Sequence, residues 1–226
     1  MCTSLRLWSG GTFGVFGTFS TFFSHHLCTM EGGFVVTDDE ELYHYMLSAR
    51  AHGWTRNLPE NSSLHTKSDD PFYVSFCFVV PGFNLRPLEM EGALGTEQLK
   101  RLKGFVAQRR DNAEYFKNTV GKDTRFYMQK ETGCSSWFGF ALLLNEPDTR
   151  MRDRIVAHLR ERGIETRPIV AGNFARQPVF SRLDASISGE LTGADYIHDN
   201  GFFVGNHSID MREQIDYLKD VLGETV

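Results

Sequence analysis

Two adjacent histidines, His25 and His26, are the residues of this 226-residue chain best suited to move a proton. They follow an apolar, aromatic stretch and precede the tripeptide Glu31-Gly32-Gly33, which predicts a tight turn. A neutral imidazole has a pKa near physiological pH, so a histidine at a strand end can act as a general acid or base. Adjacent histidines are more often ordinary surface or core residues, so this role depends on the surrounding motif.

The elements before the histidines must position them. Aromatic and β-branched residues predict short strands over Thr12–Phe16 and Thr18–Phe23, with their phenylalanines in a buried core. The lack of charge between Arg6 and His25 is also typical of a signal peptide or a membrane span. However, Gly, Ser and Thr interrupt this stretch, whereas a span needs about 20 mostly apolar residues. Buried strands are therefore the favoured interpretation.

Helical and strand patterns alternate along the rest of the chain, which predicts an α/β or α+β class. The helices are expected over residues 39–52, 89–118, 149–163, 194–200 and 211–222. The strands are expected over residues 34–37, 125–129, 137–144, 164–169 and 202–204. Residues 54–71 are polar and predict a long loop, and loops of this length often carry function. A boundary near residue 105 would divide the chain into domains 1–105 and 106–226.

Composition argues against several classes of protein. The net charge of -5 makes bulk nucleic-acid binding unexpected. The four cysteines are widely spaced and form no CxxC motif, so neither a zinc ribbon nor a clustered metal site is expected. Separate thiols favour reduced cysteines and a cytoplasmic location over a disulfide scaffold.

The segment STFFSHHLCTMEGG, which begins at Ser20, resembles the active-site stretch of the DegT/DnrJ/EryC1/StrS sugar aminotransferases. These are pyridoxal-phosphate enzymes of fold type I, with the pattern Ser-Phe-x-x-x-Lys-x-x-x-x-x-Glu-Gly-Gly. His25 occupies the position of the lysine that forms the Schiff base. His26 is expected to be a neighbour of the catalytic base and not the base itself. A histidine there resembles the 3-dehydratase branch of the family. The similarity extends from about residue 12 to the C-terminus and includes TDDEELYH, RAHGWTRN, RPLEMEGALGTEQLK, ETGCSSWFGF, RPIVAGNF and FFVGNH.

The resemblance implies an α/β fold of type I, with part of the large domain followed by a small C-terminal α/β domain. It also implies a reaction. A histidine cannot form a stable Schiff base, so pyridoxal or pyridoxamine 5'-phosphate would be held without a covalent bond. His25 would move the proton that accompanies loss of the sugar's C3 hydroxyl. The implied function is 3-dehydration of a nucleotide-linked 4-keto-6-deoxy sugar, and GDP-4-keto-6-deoxymannose is the expected substrate. L-glutamate would regenerate the amine of the cofactor. The implied pathway is deoxysugar and O-antigen biosynthesis.

Six further residues match functional positions of the family. Ser20 and Asn84 match residues that contact the cofactor phosphate, and Asn84 would reach it from the neighbouring subunit of a homodimer. The residues expected at the sugar nucleotide or at the rim of the active site are His52, Arg56, Glu165 and Arg167. Without the resemblance, Asn84, which follows Pro81-Gly82-Phe83, would be interpreted as a turn residue. Arg56 would be interpreted as a solvated side chain.

Three alternatives remain open. An ordinary sugar aminotransferase would need a lysine at or beside position 25. The iron-sulfur-dependent CDP-sugar 3-dehydratases share the histidine but need clustered cysteines. An inactive fragment is the third possibility, because only 24 residues precede His25. In the family, the Asp at the pyridine nitrogen and the aromatic residue stacked on the ring lie upstream, so this chain alone is expected to bind the cofactor weakly.

Overall fold

The computed structural model describes residues 11–225, whose helices and strands fall into two units of the chain, Met1–Arg101 and Leu102–Val226. The longest helix begins in the first unit and ends in the second. Within residues 11–225, no helix combines the length and the apolar composition that a membrane span requires.

The first unit is built around two small antiparallel strand pairs. Strands β1 (Gly17–Ser20) and β2 (Gly33–Val36) form one pair, in which Ser20 lies opposite Gly33. The other elements are helix α1 (Glu40–Ala49), the strand pair β3 (Asn61–Ser62) and β4 (His65–Thr66), helix α2 (Pro71–Val74) and the first part of α3 (Glu89–Asn118). The β3–β4 hairpin lies in the stretch that the sequence predicted as a long loop, and α2 begins at its last residue, so that prediction is corrected.

The predicted N-terminal strands are only partly correct. β1 begins at Gly17 and overlaps the predicted strand Thr18–Phe23 only up to Ser20, whereas Thr12–Phe16 forms bends and coil. The Thr37 hydroxyl donates to the Val15 carbonyl at 2.6 Å, so this segment is held by a side chain rather than by a strand ladder. The predicted burial is not found among residues 11–225. Phe13 and Phe16 keep 75% and 55% of their surface exposed, because a two-stranded sheet offers little apolar surface for burial.

The second unit contains a four-stranded, fully antiparallel sheet in the order β5-β6-β8-β7. Its strands are β5 (Phe126–Met128), β6 (Gly139–Leu144), β7 (Thr166–Arg167) and β8 (Gly201–Gly205). Its helices are the end of α3, α4 (Thr149–Glu161), α5 (Thr192–Asn200) and α6 (Arg212–Gly223). Short 3-10 turns cover Val120–Lys122, Phe174–Arg176 and Pro178–Arg182.

The core of the second unit is formed by one face of the sheet and by the apolar faces of α3, α4 and α6. Alternation along β6 buries Phe140, Leu142 and Leu144, which lie on the same face of the strand. The Phe140 ring stacks on Phe116 of α3 with ring centroids 4.0 Å apart. Stacked aromatic rings add specific contacts to the apolar area that they bury, so this pair joins the sheet to α3.

A buried polar cluster of Asn112, Asn206 and Arg109 ties α3 to the chain that follows β8. The Asn112 amide donates to Asn206 Oδ1 at 3.0 Å, and the Asn206 amide donates to the Arg109 carbonyl at 3.0 Å. The Arg109 guanidinium donates to the backbone carbonyls of Phe138 and Asn206. Burial lowers the pKa of Arg109 below its ordinary value, because the charged form loses solvation.

The cysteines only partly follow the prediction of reduced thiols. Cys28 and Cys77 are free thiols, whereas Cys134 is disulfide-bonded. Wide spacing in the sequence does not limit which cysteines approach each other in space, so spacing alone does not exclude a disulfide.

Candidate active site

His25 lies in a closed loop that leaves β1 after Ser20 and enters β2 at Gly33. The Thr21 amide donates to the Gly32 carbonyl at 3.0 Å and joins the two ends of the loop. Within the loop, the His25 amide donates to the Phe22 carbonyl at 2.9 Å. The Phe22 and His25 rings meet edge to face, with centroids 6.0 Å apart. The histidine is half-buried and lies five residues beyond the end of β1, whereas the predicted strand Thr18–Phe23 would have ended two residues before it.

Two glycines allow this loop to return to the sheet. Gly32 has a φ of +115°, a backbone conformation that side chains with a Cβ rarely adopt. A Cβ on Gly33 would lie 2.6 Å from the Phe19 carbonyl oxygen on the opposite strand. The Gly-Gly pair of the motif thus serves the turn that brings the chain back beside β1.

Ser20 ends β1 and is exposed. Its Oγ accepts a hydrogen bond from the Phe22 amide at 3.3 Å. Because a hydroxyl both accepts and donates, Ser20 can still donate its proton to an anion such as a phosphate.

Three of the predicted site residues, His52, Arg56 and Asn84, lie on two segments that pair with each other. The His52 amide donates to the Phe83 carbonyl at 2.8 Å, and Asn84 forms an isolated antiparallel bridge with Ala51. The side chains of all three predicted residues are exposed. The structure therefore brings together two motifs, RAHGWTRN and PGFN, that are about 30 residues apart in the sequence.

Backbone conformation explains why these two segments approach so closely. Gly53 has a φ of +85° and faces the Val80 carbonyl, which leaves no space for a Cβ. Gly82 is equally close to the backbone of His52 and Gly53. His52 itself has a φ of +65°, in the left-handed region where histidine is more common than most residues.

Arg56 is held by an aromatic stack. Its guanidinium carbon lies 4.0 Å from the centroid of the Trp54 ring, which is cation–π geometry. Trp54 stacks on Phe76 at 5.1 Å, and its indole N–H donates to the Ser75 carbonyl at 3.0 Å. Within residues 11–225, Arg56 has neither a hydrogen-bond acceptor nor an ion-pair partner, so its guanidinium N–H donors are available to an anionic ligand.

Glu165 and Arg167 lie in the second unit, where they pair with each other at 2.7 Å and are both exposed. Thr166 between them is buried and accepts from Arg160 Nε at 2.9 Å, which fixes the strand that carries the pair. Exposed ion pairs contribute little to stability, so these side chains can exchange partners at low cost.

Sequence reasoning missed Trp54, on which the Arg56 guanidinium lies. Trp54 was detectable in principle, because an aromatic residue two positions before an arginine can stack with it.

The chain belongs to the DegT/DnrJ/EryC1/StrS aminotransferase family, whose model matches residues 7–222. This confirms the family and the fold class that the His25 motif predicted.

Among its relatives, the chain is 56% identical to the GDP-4-keto-6-deoxy-D-mannose 3-dehydratase of Yersinia pseudotuberculosis and 52% identical to that of Escherichia coli O55:H7. Each alignment covers 94% of this chain and 54% or 55% of the relative. The chain thus spans about half the length of the curated relatives that it matches.

Solved structures agree with this relationship. E. coli GDP-4-keto-6-deoxy-D-mannose-3-dehydratase with bound hydrated PLP matches with a TM-score of 0.91 at 50% identity, over 98% of this chain and 57% of that chain. The Helicobacter pylori aminotransferase PseC matches with a TM-score of 0.79 at 20% identity, which shows a shared fold.

Proposed function

We propose that this chain carries the proton-transferring histidine of a 3-dehydratase that depends on pyridoxal or pyridoxamine 5'-phosphate and acts on a nucleotide-linked 4-keto-6-deoxy sugar. The observation that carries the proposal is the place of His25 in a closed loop at the end of β1, and the resemblance of its motif to the Schiff-base lysine position of the family supports it. Because imidazole forms no stable Schiff base, this residue favours proton transfer over covalent attachment of the cofactor.

The side chains present fit the phosphate of such a cofactor. Ser20 offers an exposed hydroxyl beside the Phe22 amide, and Asn84 offers an exposed side-chain amide. Hydroxyl and amide donors are suited to phosphate oxygens. When bound, pyridoxamine phosphate supplies the amine and the electron sink for the reaction.

In this proposal, His25 removes and returns protons while the C3–O bond of the sugar breaks. The net reaction removes the C3 oxygen from the sugar, oxidises L-glutamate to 2-oxoglutarate and releases ammonia, so atoms and electrons balance. Glutamate as the reductant is supported by a related 3-dehydratase, 49% identical, whose structure contains a trapped PLP-glutamate geminal diamine.

Arg56 and His52 are proposed to contact the sugar nucleotide, with Glu165 and Arg167 at the rim of the site. The exposed guanidinium of Arg56, placed on Trp54, suits the diphosphate. GDP-4-keto-6-deoxymannose is the proposed substrate, supported by the two curated relatives and by a solved relative, 51% identical, with bound GDP-perosamine.

We further propose a homodimer in which Asn84 and Arg56 serve the partner subunit's site. Residues 1–105 would be the remainder of the large domain, and residues 106–226 the small domain. The proposed setting is cytoplasmic deoxysugar synthesis for O-antigen.

The test is ammonia release by the purified chain supplied with pyridoxamine phosphate, L-glutamate and GDP-4-keto-6-deoxymannose. Because this chain alone is expected to bind the cofactor weakly, pyridoxamine phosphate is supplied in excess; we then expect release that His25→Asn reduces by about 100-fold or more, the scale of a lost general base. His26→Asn, a neighbouring change of the same type, should retain most of the activity. Equal rates for wild type and His25→Asn would refute the assigned role.

A further inference from the structure

Two buried hydroxyl groups, those of Thr21 and Thr29, meet where the His25 loop closes. Thr21 and Thr29 expose only 2% and 4% of their surface, and their Oγ1 atoms lie 2.6 Å apart. A buried hydroxyl is costly without a hydrogen-bond partner, so this pairing is part of the loop's architecture.

The direction of these hydrogen bonds follows from the partners. Thr29 Oγ1 also lies 2.6 Å from the Glu31 carbonyl oxygen, which can only accept. A threonine hydroxyl has a single hydrogen, so Thr29 donates to Glu31 and must accept from Thr21. The result is an ordered chain of donors from Thr21 to Thr29 to the Glu31 carbonyl, called here the hydroxyl clamp.

The hydroxyl clamp joins both ends of the loop and lies close to helix α3 at Gly95. The Thr29 amide donates to the Thr21 carbonyl at 2.9 Å, beside the Thr21–Gly32 backbone bond already described. A Cβ on Gly32 would come within 3.2 Å of both threonine hydroxyls, and one on Gly95 of α3 within 3.2 Å of Thr29 Cγ2. Glycine at these two positions lets the turn and the helix pack directly against the clamp.

We propose that Thr21 and Thr29 are positioning residues that hold the His25 loop in one closed conformation and thereby fix the imidazole relative to β1 and Ser20. The inference rests on the proposed role of His25 and adds two residues to that site. Neither threonine needs to touch the substrate, since the clamp acts through the backbone that carries His25. A base must lie within hydrogen-bond reach of the proton that it moves, so a loop that opens loses catalysis without losing its histidine.

The first test compares Thr29→Val, which replaces the hydroxyl by a methyl group, with Thr29→Ser, which retains it. The readout is the rate at which diethyl pyrocarbonate modifies His25, followed by mass spectrometry. We expect Thr29→Val to raise this rate about tenfold, equivalent to about 1.4 kcal/mol, the scale of one buried hydrogen bond. Thr29→Ser should stay within about twofold of wild type.

Thr119→Val is the matched control, because the Thr119 hydroxyl donates to the Tyr115 carbonyl at 2.8 Å in the second unit. It should leave the modification of His25 unchanged. An unchanged rate in folded Thr29→Val, or an equal increase in Thr119→Val, would overturn the proposal.

Turnover gives a second readout. Thr29→Val should lower kcat and leave KM for the sugar nucleotide unchanged, and Thr29→Ser should restore kcat. Because chemical modification of His25 needs no turnover, an inactive chain with an intact clamp would refute the proposed function alone. An active chain in which Thr29→Val leaves the rate of His25 modification unchanged would refute the role of the clamp alone.

Amide hydrogen exchange of the unmodified chain covers the case in which Thr29→Val does not fold. If the clamp holds the loop, the His25 and Thr29 amides should exchange through the same opening and show similar protection. A His25 amide that exchanges more than about tenfold faster than that of Thr29 would contradict the proposal.

Discussion

Replacing Arg56 with alanine should weaken binding of a GDP-sugar by about 10- to 30-fold. The magnitude follows from the structure. The guanidinium has no ion-pair partner within residues 11–225, so its loss leaves no buried charge behind and costs only its bonds to the ligand. One or two charge-assisted hydrogen bonds at an exposed site correspond to this range. Trp54→Leu should cost less, about 2- to 5-fold, because the contact that it removes from Arg56 is the cation–π contact at 4.0 Å and the guanidinium itself stays.

Isothermal titration with GDP measures the loss of affinity without requiring turnover, because GDP contains the diphosphate that Arg56 is proposed to contact. Arg56→Lys should recover only part of the affinity, since an ammonium retains the charge but not the planar fork. Arg101→Ala, which changes an exposed arginine of α3 in the same unit, is the matched control and should bind like wild type. Affinity of Arg56→Ala within twofold of wild type, or an equal loss in Arg101→Ala, would refute the assignment of Arg56 to the nucleotide.

Two further predictions concern the second unit. Asn112→Ala should lower the free energy of unfolding by about 3 kcal/mol, because Asn206 and two backbone carbonyls lose their donor. Urea denaturation measures this, and Asn118→Ala, an exposed asparagine of the same helix, should change stability by less than about 0.5 kcal/mol. Similar losses of unfolding free energy in the two variants would contradict the role of the buried cluster. Phe140→Ala should lower the free energy of unfolding by about 3–5 kcal/mol, because the ring is 1% exposed and stacks on Phe116. A thermal midpoint close to that of wild type would show that this stack contributes little.

Sequence patterns predict best the long helix α3 and the sheet of the second unit. Helix α3 has the predicted bounds, Glu89–Asn118, because a long apolar stripe with few interruptions favours one helix. β6 and β8 lie within a residue or two of their predicted positions, since local alternation determines strands that are buried on one face. Short-range periodicity is sufficient where each element packs against a shared core.

Prediction fails where the structure depends on contacts between distant residues. The aromatic Thr12–Phe16 segment has strand-like composition but is held by the Thr37 hydroxyl, a contact between residues 22 positions apart. The segment predicted as a long loop contains a hairpin because Asn61 and Thr66 pair, and its two-residue strands are too short for a period to be detected. The exposed phenylalanines show that composition predicts an apolar stretch but not what covers it.

The same distinction applies to the site. His25 and Ser20 were predictable because they lie within one short motif with fixed spacing. The meeting of Asn84 with Ala51, and of Trp54 with Phe76, joins residues more than 20 positions apart and required the structure. The hydroxyl clamp is a further example, since no pattern in the sequence distinguishes a paired buried threonine from an ordinary strand residue.

The most direct test of the central claim is the mass of the sugar nucleotide formed from GDP-4-keto-6-deoxymannose by this chain with pyridoxamine phosphate and L-glutamate. If His25 directs 3-dehydration, wild type should form a product that lacks one oxygen, and His25→Asn should not. A product in which an amino group replaces the keto oxygen, or the deoxygenated product formed equally by His25→Asn, would contradict the account.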